Sequence, residues 1–463
     1  MSIKDFTRNL PWSWLSVLGA TLWFLVAKWP DFSLPLFWDE LGVYGPGVLH
    51  MVDHGIGLLP SSLPPELSRG HPLLFYALFA TFAKLFGWSL VSIHVLSFLT
   101  SLALIWSTWL IGMKMFGEWG AVLAAISLMA MPAIFAQSQL LLPEMLLSLW
   151  LLWALYGWYS QNWILYVLMA SAALLTKESA LVLPLAAALY SLLFQEKGKS
   201  TLLALSPLLI FGLFLVVQRI QNGWFFFPYH TQFISFSWDE WGTRSSLLFD
   251  FLLIYQGRWI MSALLLLGAG FVVWNRKSLQ IKQMHPWIRL SGIFLIGIIC
   301  FTLLNVYMDR YLICLLPLLT LGLAALLPEI QTSFRLGGLV FLAVPLTFLA
   351  YQGKGGFRYD VDISYRDILE VQQAAVNQLM IEAQPDQKIY TNFPLYNSFL
   401  DPRFGFIARE ATFEVTPLWR EPVSLVASIS PGVEWMGTPL DSMNMLWQIT
   451  RGYSSCEVYL AGE

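Results

Sequence analysis

The chain has 463 residues, of which 57% are hydrophobic and only 12% are charged, and its net charge is −3. This composition excludes an ordinary soluble domain and indicates a protein that crosses a membrane several times. The near-neutral, slightly acidic balance gives no indication of nucleic-acid binding.

Apolar runs long enough to cross a hydrocarbon layer of about 30 Å recur over the first three quarters of the chain. Lys4 and Arg8 precede the first run, and no small-residue cleavage site follows it, so we interpret it as a retained anchor. We predict about eleven spans, at residues 12–29, 89–113, 119–136, 139–158, 162–176, 178–194, 201–218, 257–274, 287–304, 310–328 and 334–351.

Basic residues are concentrated in the short loops on one side of these spans. That bias predicts a cytoplasmic N-terminus. The loop of residues 30–88 then lies outside, with most of the acids that precede residue 351, so any chemistry is expected at the outer face. The basic residues of the inner loops are Lys4, Arg8, Lys114, Lys197, Lys199, Arg276, Lys277, Lys282, Arg289 and Arg335.

The first outer loop opens with two adjacent acids, Asp39 and Glu40. A short helix is predicted over residues 42–57. It carries His50 and His54 one turn apart, a spacing that can bind a metal but more often forms a solvated face, and we predict no zinc site there. Residues 72–88, which open with a proline, are predicted to form an amphipathic helix in the membrane interface.

The density of charged residues rises from about residue 352. Residues 353–356 form a plausible glycine-rich linker, a helix is predicted over residues 365–383, and a strand over residues 387–391. We therefore predict two domains, a transmembrane domain at 1–351 and a small α/β domain at 352–463. An odd number of spans places the second domain outside.

Five short segments stand out in chain order: Asp39-Glu40 after the first span, the stretch from Arg69 and His71 to the Leu-Phe-Gly at 85–87, Glu144 after Pro143, Thr176-Lys177-Glu178, and Asp309-Arg310-Tyr311 with Pro317. Together they resemble the GT-C superfamily of glycosyltransferases, above all its protein O-mannosyltransferases and lipid A aminoarabinose transferases. The family usually has Asp at the position of Glu144, and Pro-Pro where this chain has Pro72 and Leu73.

The resemblance implies an α-helical polytopic protein that moves a sugar from a polyprenyl-phosphate donor, with inversion. The acceptor would be a lipid, a glycan or a protein at the outer face of the cell membrane. The resemblance implies that no cofactor is required, and it leaves open whether a divalent metal takes part in the reaction.

Inverting displacement needs a carboxylate that takes the acceptor's proton. Asp39 is our candidate, although an acid at a helix N-terminus would also be a stabilising structural residue. Glu40 either orients the acceptor or is simply solvated. Glu144 joins them as a catalytic candidate, and after Pro143 it would also suit a helix start.

The phosphate leaving group needs cations rather than a proton. Arg310 can hold a phosphate in a bidentate fork, unless it pairs with Asp309. Lys177 is a second cation, with Glu178 as its expected partner. Arg69, His71 and Tyr311 complete the predicted substrate-binding set.

Two alternatives compete with this interpretation. The tripeptide of Asp39 and Glu40 recurs as Trp238-Asp239-Glu240, beside an aromatic stretch at 224–230 that indicates an interfacial belt or a wall of the donor groove. A lipid or glycan transporter would also be polytopic. Its ionisable groups would lie at mid-membrane in two similar halves, whereas here they lie at the outer rim.

Overall fold

The described residues from 12 to 325 are mostly helical, and a small sheet lies among the described residues from 388 to 460. The computed structural model describes residues 12–195, 198–232, 234, 237–275, 279–325, 358–418, 423–432 and 443–461. The α-helices are Trp12–Lys28, Gly45–His54, Pro65–Ser68, Leu74–Phe86, Leu90–Met129, Pro132–Gln137, Glu144–Tyr159, Trp163–Thr176, Val182–Phe194, Lys199–Leu205, Pro207–Asn222, Pro228–Thr231, Trp238–Phe249, Arg258–Asn275, Leu279–Leu304, Leu316–Ala325 and Tyr365–Glu382.

Four of the described helical segments are long and apolar enough to cross a membrane, namely Leu90–Met129, Lys199–Asn222, Trp238–Leu267 and Pro286–Leu304. Three shorter apolar helices accompany them, at Leu74–Phe86, Trp163–Thr176 and Glu178–Phe194. Several spans are thus present, while the number eleven stays a prediction. The predicted span at 334–351 lies outside the described residues.

The first long helical segment, Leu90–Met129, folds back on itself at Gly117. This glycine has a φ of 76° inside the segment. A Cβ added at Gly112 would lie 2.9 Å from the Cα of Ala121, whereas nine residues of straight helix span about 13 Å. The segment is therefore a hairpin, which agrees with the two separate spans predicted at 89–113 and 119–136.

The outer loop has the two helices that the sequence predicts, at Gly45–His54 and Leu74–Phe86. A π-helical turn, Glu40–Tyr44, leads into the first of them. The rings of His50 and His54 stack with their centroids 4.2 Å apart. In the described part of the chain, neither histidine belongs to a group of metal-ligating side chains.

The C-terminal region packs one helix, Tyr365–Glu382, against a five-stranded sheet, as predicted for a small α/β domain. The strands are β1 (Lys388–Thr391), β2 (Glu414–Thr416), β3 (Leu425–Ser430), β4 (Asn444–Arg451) and β5 (Ser454–Leu460). Their order is β2-β1-β3-β5-β4. β1 is parallel to β2 and β3, and the other pairs are antiparallel. The predicted linker at 353–356 lies outside the described residues, so the boundary at 352 stays a prediction.

The outer loop and the C-terminal domain share one hydrophobic core. Leu41, Tyr76 and Leu140 belong to the same buried cluster as Leu369 and Val458. Burial of this shared apolar surface favours a fixed docking of the two regions. The loop that carries Asp39 and the sheet domain therefore lie on the same side of the membrane.

A buried polar group reinforces this docking. The carboxylate of Asp31, in the 3₁₀ turn after the first helix, accepts hydrogen bonds from Lys28, the Tyr365 hydroxyl and Arg366, each at 2.7 Å. Asp31 and Tyr365 are almost fully buried. Because a buried charge is costly unless it is paired, this group fixes where the outer loop begins relative to the C-terminal helix.

Candidate active site

A tight turn before the first outer helix sends Asp39 and Glu40 in different directions. Trp38 adopts a left-handed conformation with φ 48°, which costs about 1–3 kcal/mol in a residue other than glycine. Its ring packs edge-on against Phe393 of the C-terminal domain, with centroids 5.1 Å apart. Glu40 is fully buried and accepts hydrogen bonds from the backbone amides of Phe37 (2.8 Å) and Leu141. Glu40 thus fastens the turn, and Asp39 faces the cavity.

Arg310 is the centre of the charged cluster. It lies in the 3₁₀ helix Asp309–Leu315, and its side chain is almost fully buried. One terminal nitrogen donates to Asp39, and the other donates to Asp360 at 2.5 Å. The Nε lies 3.4 Å from Glu144 and has no hydrogen-bond partner. Arg310 does not pair with Asp309, which instead pairs with Arg358 at 3.0 Å.

Lys177 approaches the cluster from the end of another helix. Its Nζ donates to Glu144 at 2.7 Å and lies 4.1 Å from the centroid of the Tyr311 ring. The expectation that Glu178 pairs with Lys177 is wrong. Lys177 has an extended backbone, which directs consecutive side chains to opposite sides, and Glu178 pairs with His71 instead.

A second polar group lies across the cavity. His71 Nδ1 is 2.8 Å from Glu178, and the His230 ring centroid is 5.1 Å from that of His71. Ligand atoms of these three residues all lie within 4.8 Å of one another. Among the described residues, this is the group that could hold a metal ion. Burial, together with the nearby His71, lowers the pKa of His230 to about 4, so His230 is neutral at physiological pH.

These side chains surround a cavity of about 180 Å³. Asp39, Arg69, His71, Lys177, Arg310 and Tyr311 line it, together with Glu178, His230, Tyr229, Phe301 and Asn305. Glu144 lines a smaller adjoining cavity beside Lys177 and Arg310. Glu40 lines neither cavity. Both of its carboxylate oxygens instead accept hydrogen bonds from backbone amides.

The two acids that accept hydrogen bonds from Arg310, Asp39 and Asp360, have pKa values shifted in opposite directions. Burial opposes ionisation of Asp39, but Arg310, together with Arg69 and Lys177, outweighs it and holds the pKa of Asp39 below its ordinary value. For Asp360, burial outweighs the attraction of Arg310 and raises the pKa to about 6. Asp39 is therefore ionised at neutral pH, and Asp360 is the acid nearer to its titration range.

The rival tripeptide lies elsewhere. Asp239 and Glu240 are exposed on the helix Trp238–Phe249, and Glu240 pairs with Arg244 of the same helix at 2.6 Å. Neither acid lines the two cavities. His230, from the neighbouring aromatic stretch, does reach the cavity.

Sequence reasoning missed Asp360. It lies in the short 3₁₀ turn Tyr359–Val361, just before the helix of the C-terminal domain, where no motif marks it. Its contact with Arg310 spans 50 positions, and its burial depends on how the C-terminal domain docks. An acid beside a predicted linker, with a second acid two residues on, gives no signal of such a role.

A buried cluster of acids and cations thus lies beside a cavity, on apolar helices and under a layer formed by the outer loop and the sheet domain. A profile of the family described as dolichyl-phosphate-mannose-protein mannosyltransferase matches residues 70–220. No curated protein sequence matches the chain.

Two solved structures share the fold over nearly their whole length. ArnT from Cupriavidus metallidurans bound to undecaprenyl phosphate has a TM-score of 0.59 and 13% identity, and the match covers 96% of this chain and 98% of that one. The same protein in the apo state gives a TM-score of 0.57 and 13% identity, with 95% and 98% covered. The resemblance to the GT-C superfamily is thus confirmed, and the chain is a multi-pass membrane protein with the fold of GT-C glycosyltransferases.

Proposed function

We propose that this protein transfers a sugar from a polyprenyl-phosphate donor to an acceptor, with inversion, at the cavity that Asp39 lines. The observation that carries the proposal is that an ionised carboxylate and three cations, Arg69, Lys177 and Arg310, line one cavity. The fold is shared with ArnT, a protein seen bound to undecaprenyl phosphate, and this supports a donor of that class.

Each part of the displacement has a matching group. Asp39 accepts the proton of the acceptor as its nucleophilic atom forms a bond to the anomeric carbon. The bond from that carbon to the phosphate oxygen breaks on the opposite face, and the polyprenyl phosphate leaves as an anion. The cations stabilise its charge. Glu144 keeps Lys177 in place for this role.

The site lies at the non-cytoplasmic face in this proposal, as the distribution of basic residues favours. The acceptor is a lipid, a glycan or a protein that reaches the cavity from that face. Membrane lipids surround the apolar helices, whose exposed Leu, Ile and Phe side chains suit a hydrocarbon environment.

The direct test is transfer by purified protein in nanodiscs. Undecaprenyl-phosphate donors that carry different sugars would be supplied with membrane extracts as acceptors, and labelled products would be identified by mass spectrometry. We expect label to move with one donor class, and to be lost in Asp39→Asn. Movement of the donor across the proteoliposome membrane without transfer of its sugar would support a transporter instead.

We expect chelation of divalent metals to leave transfer intact. The three cations that line the cavity already supply positive charge for the leaving phosphate. The measurement compares initial rates before and after dialysis against EDTA. A loss that Zn²⁺ or Mn²⁺ reverses in the wild type, but not in His230→Ala, would contradict this and would assign His71, Glu178 and His230 to a metal.

The topology prediction is that the outer loop and the C-terminal domain both face away from the cytoplasm. Ser61→Cys and Asp386→Cys place thiols at exposed positions in these two regions. With Cys300 replaced by serine, an impermeant maleimide should label both in intact cells. Ser398, although in the same domain, is fully buried and would not report topology. Labelling of both cysteines only after lysis would show that the orientation is reversed, and protection of only one would contradict their location on the same side.

A further inference from the structure

Asp360 holds Arg310 from the side opposite Asp39. Its carboxylate accepts a hydrogen bond from one terminal nitrogen of Arg310 at 2.5 Å, while the other terminal nitrogen donates to Asp39. The side-chain amide of Gln137 donates to the backbone oxygen of Asp360 at 3.0 Å. Asp360 is only 5% exposed. The guanidinium is thus fixed between two carboxylates that belong to distant parts of the chain.

We propose that Asp360 is a positioning residue for the proposed transfer, which orients Arg310 toward Asp39 and, through its own negative charge, keeps Asp39 an effective base. This inference rests on the proposed function. It adds a group from the junction with the C-terminal domain to a site otherwise built from the transmembrane domain and the outer loop.

The charges around Asp39 explain why a second carboxylate matters. Arg310 stabilises the ionised form of Asp39, and a base held too firmly in that form accepts a proton poorly. The negative charge of Asp360 acts in the opposite direction, because it partly neutralises the guanidinium. The charged groups facing Asp360 are Arg310, Glu144 and Asp39. Removing the Asp360 charge therefore leaves Arg310 to act on Asp39 with less compensation.

The same charge also affects the donor. Asp360 and a donor phosphate are both anions near Arg310, so they compete for its hydrogen-bond donors. Arg310 Nε is buried and faces Glu144 at 3.4 Å, so a phosphate has to reach the terminal nitrogens, which Asp39 and Asp360 already bind. Asp360 should thus lower phosphate affinity and raise turnover. A residue that only stabilised the fold would change both in the same direction.

The test is Asp360→Asn in the full-length protein in nanodiscs. We expect kcat to fall by about 10-fold, while the Kd for undecaprenyl phosphate falls by about threefold or more because a competing anion is gone. The acid limb of the pH profile of kcat/KM should move to lower pH, since Asp39 then holds its proton less strongly. Asp360→Glu keeps the charge and should restore phosphate affinity to the wild-type value, with kcat between those of Asp360→Asn and the wild type.

Asp362→Asn is the matched control. Asp362 is fully buried in the same segment, where its carboxylate accepts hydrogen bonds from the Tyr255 hydroxyl at 2.7 Å and the Ser364 backbone amide at 2.8 Å. This variant should lower thermal stability and leave the acid limb of the pH profile in place. A shift of that limb in Asp362→Asn equal to the shift in Asp360→Asn would overturn the inference.

Binding of undecaprenyl phosphate needs no turnover, so the two proposals can fail separately. A wild-type protein without transferase activity would overturn the proposed function, and the affinity of Asp360→Asn would still decide the role of Asp360. Unchanged or weaker binding in folded Asp360→Asn would overturn the inference. If this variant does not fold, Asp360→Glu decides: lower kcat with wild-type affinity supports the inference, and wild-type kcat overturns it.

Discussion

Replacing Asp39 by asparagine should lower turnover by about 100-fold or more, which is the usual contribution of a general base. The amide keeps the size of the carboxylate and can still accept a hydrogen bond from Arg310, so the turn and the cavity should survive. The proton acceptor is lost. The measurement is single-turnover transfer with saturating donor, together with the Kd for undecaprenyl phosphate, which should not weaken.

The matched control for this prediction is Asp239→Asn. Asp239 follows a tryptophan and precedes a glutamate, as Asp39 does, but it is exposed on a helix away from the cavity. We expect wild-type turnover from it. If Asp239→Asn were inactive and Asp39→Asn active, the site would belong to the later loop.

Replacing Arg310 by alanine should weaken donor binding by about 10-fold or more and also destabilise the protein. Three carboxylates, those of Asp39, Glu144 and Asp360, contact this guanidinium in a buried place. Removing one partner of a buried ion pair costs about 3–5 kcal/mol, because the remaining charges lose their compensation. Binding of undecaprenyl phosphate and the thermal midpoint of unfolding would measure the two effects.

Arg310→Lys separates charge from geometry. An ammonium restores the positive charge but cannot bond Asp39, Asp360 and a phosphate at once in a planar fork. We expect it to recover most of the stability and only part of the donor affinity. Equal donor affinity in the wild type and both variants would make Arg310 a purely structural residue.

Much of the fold could be predicted from the sequence. Apolar runs predict the helices, and the helix at Tyr365–Glu382 and strand β1 follow from local periodicity. The hairpin at Gly117 agrees with two separate predicted spans. The number of spans could not be settled, because several described helices are shorter than a bilayer requires.

The site was predicted less completely, and the reason is geometric. Asp39, Lys177 and Arg310 lie in short motifs, and the structure places all three around one cavity. Which groups these charged side chains and their sequence neighbours bind could not be predicted from adjacency in the sequence. Glu178 follows Lys177 but binds His71, and Glu40 follows Asp39 but binds backbone amides. Partners that come from distant segments, above all Asp360, depend on tertiary packing.

The core that the outer loop shares with the C-terminal domain limits how this protein can be recombined. In a chimera with the sheet domain of a relative, other side chains would replace Phe393 and Tyr365. The ring contact of Trp38 and the hydrogen bond to Asp31 would then be lost or altered. Since Trp38 precedes Asp39, such a mismatch would displace the proposed base. An active chimera should therefore require that residues 30–88 and the C-terminal domain be exchanged together.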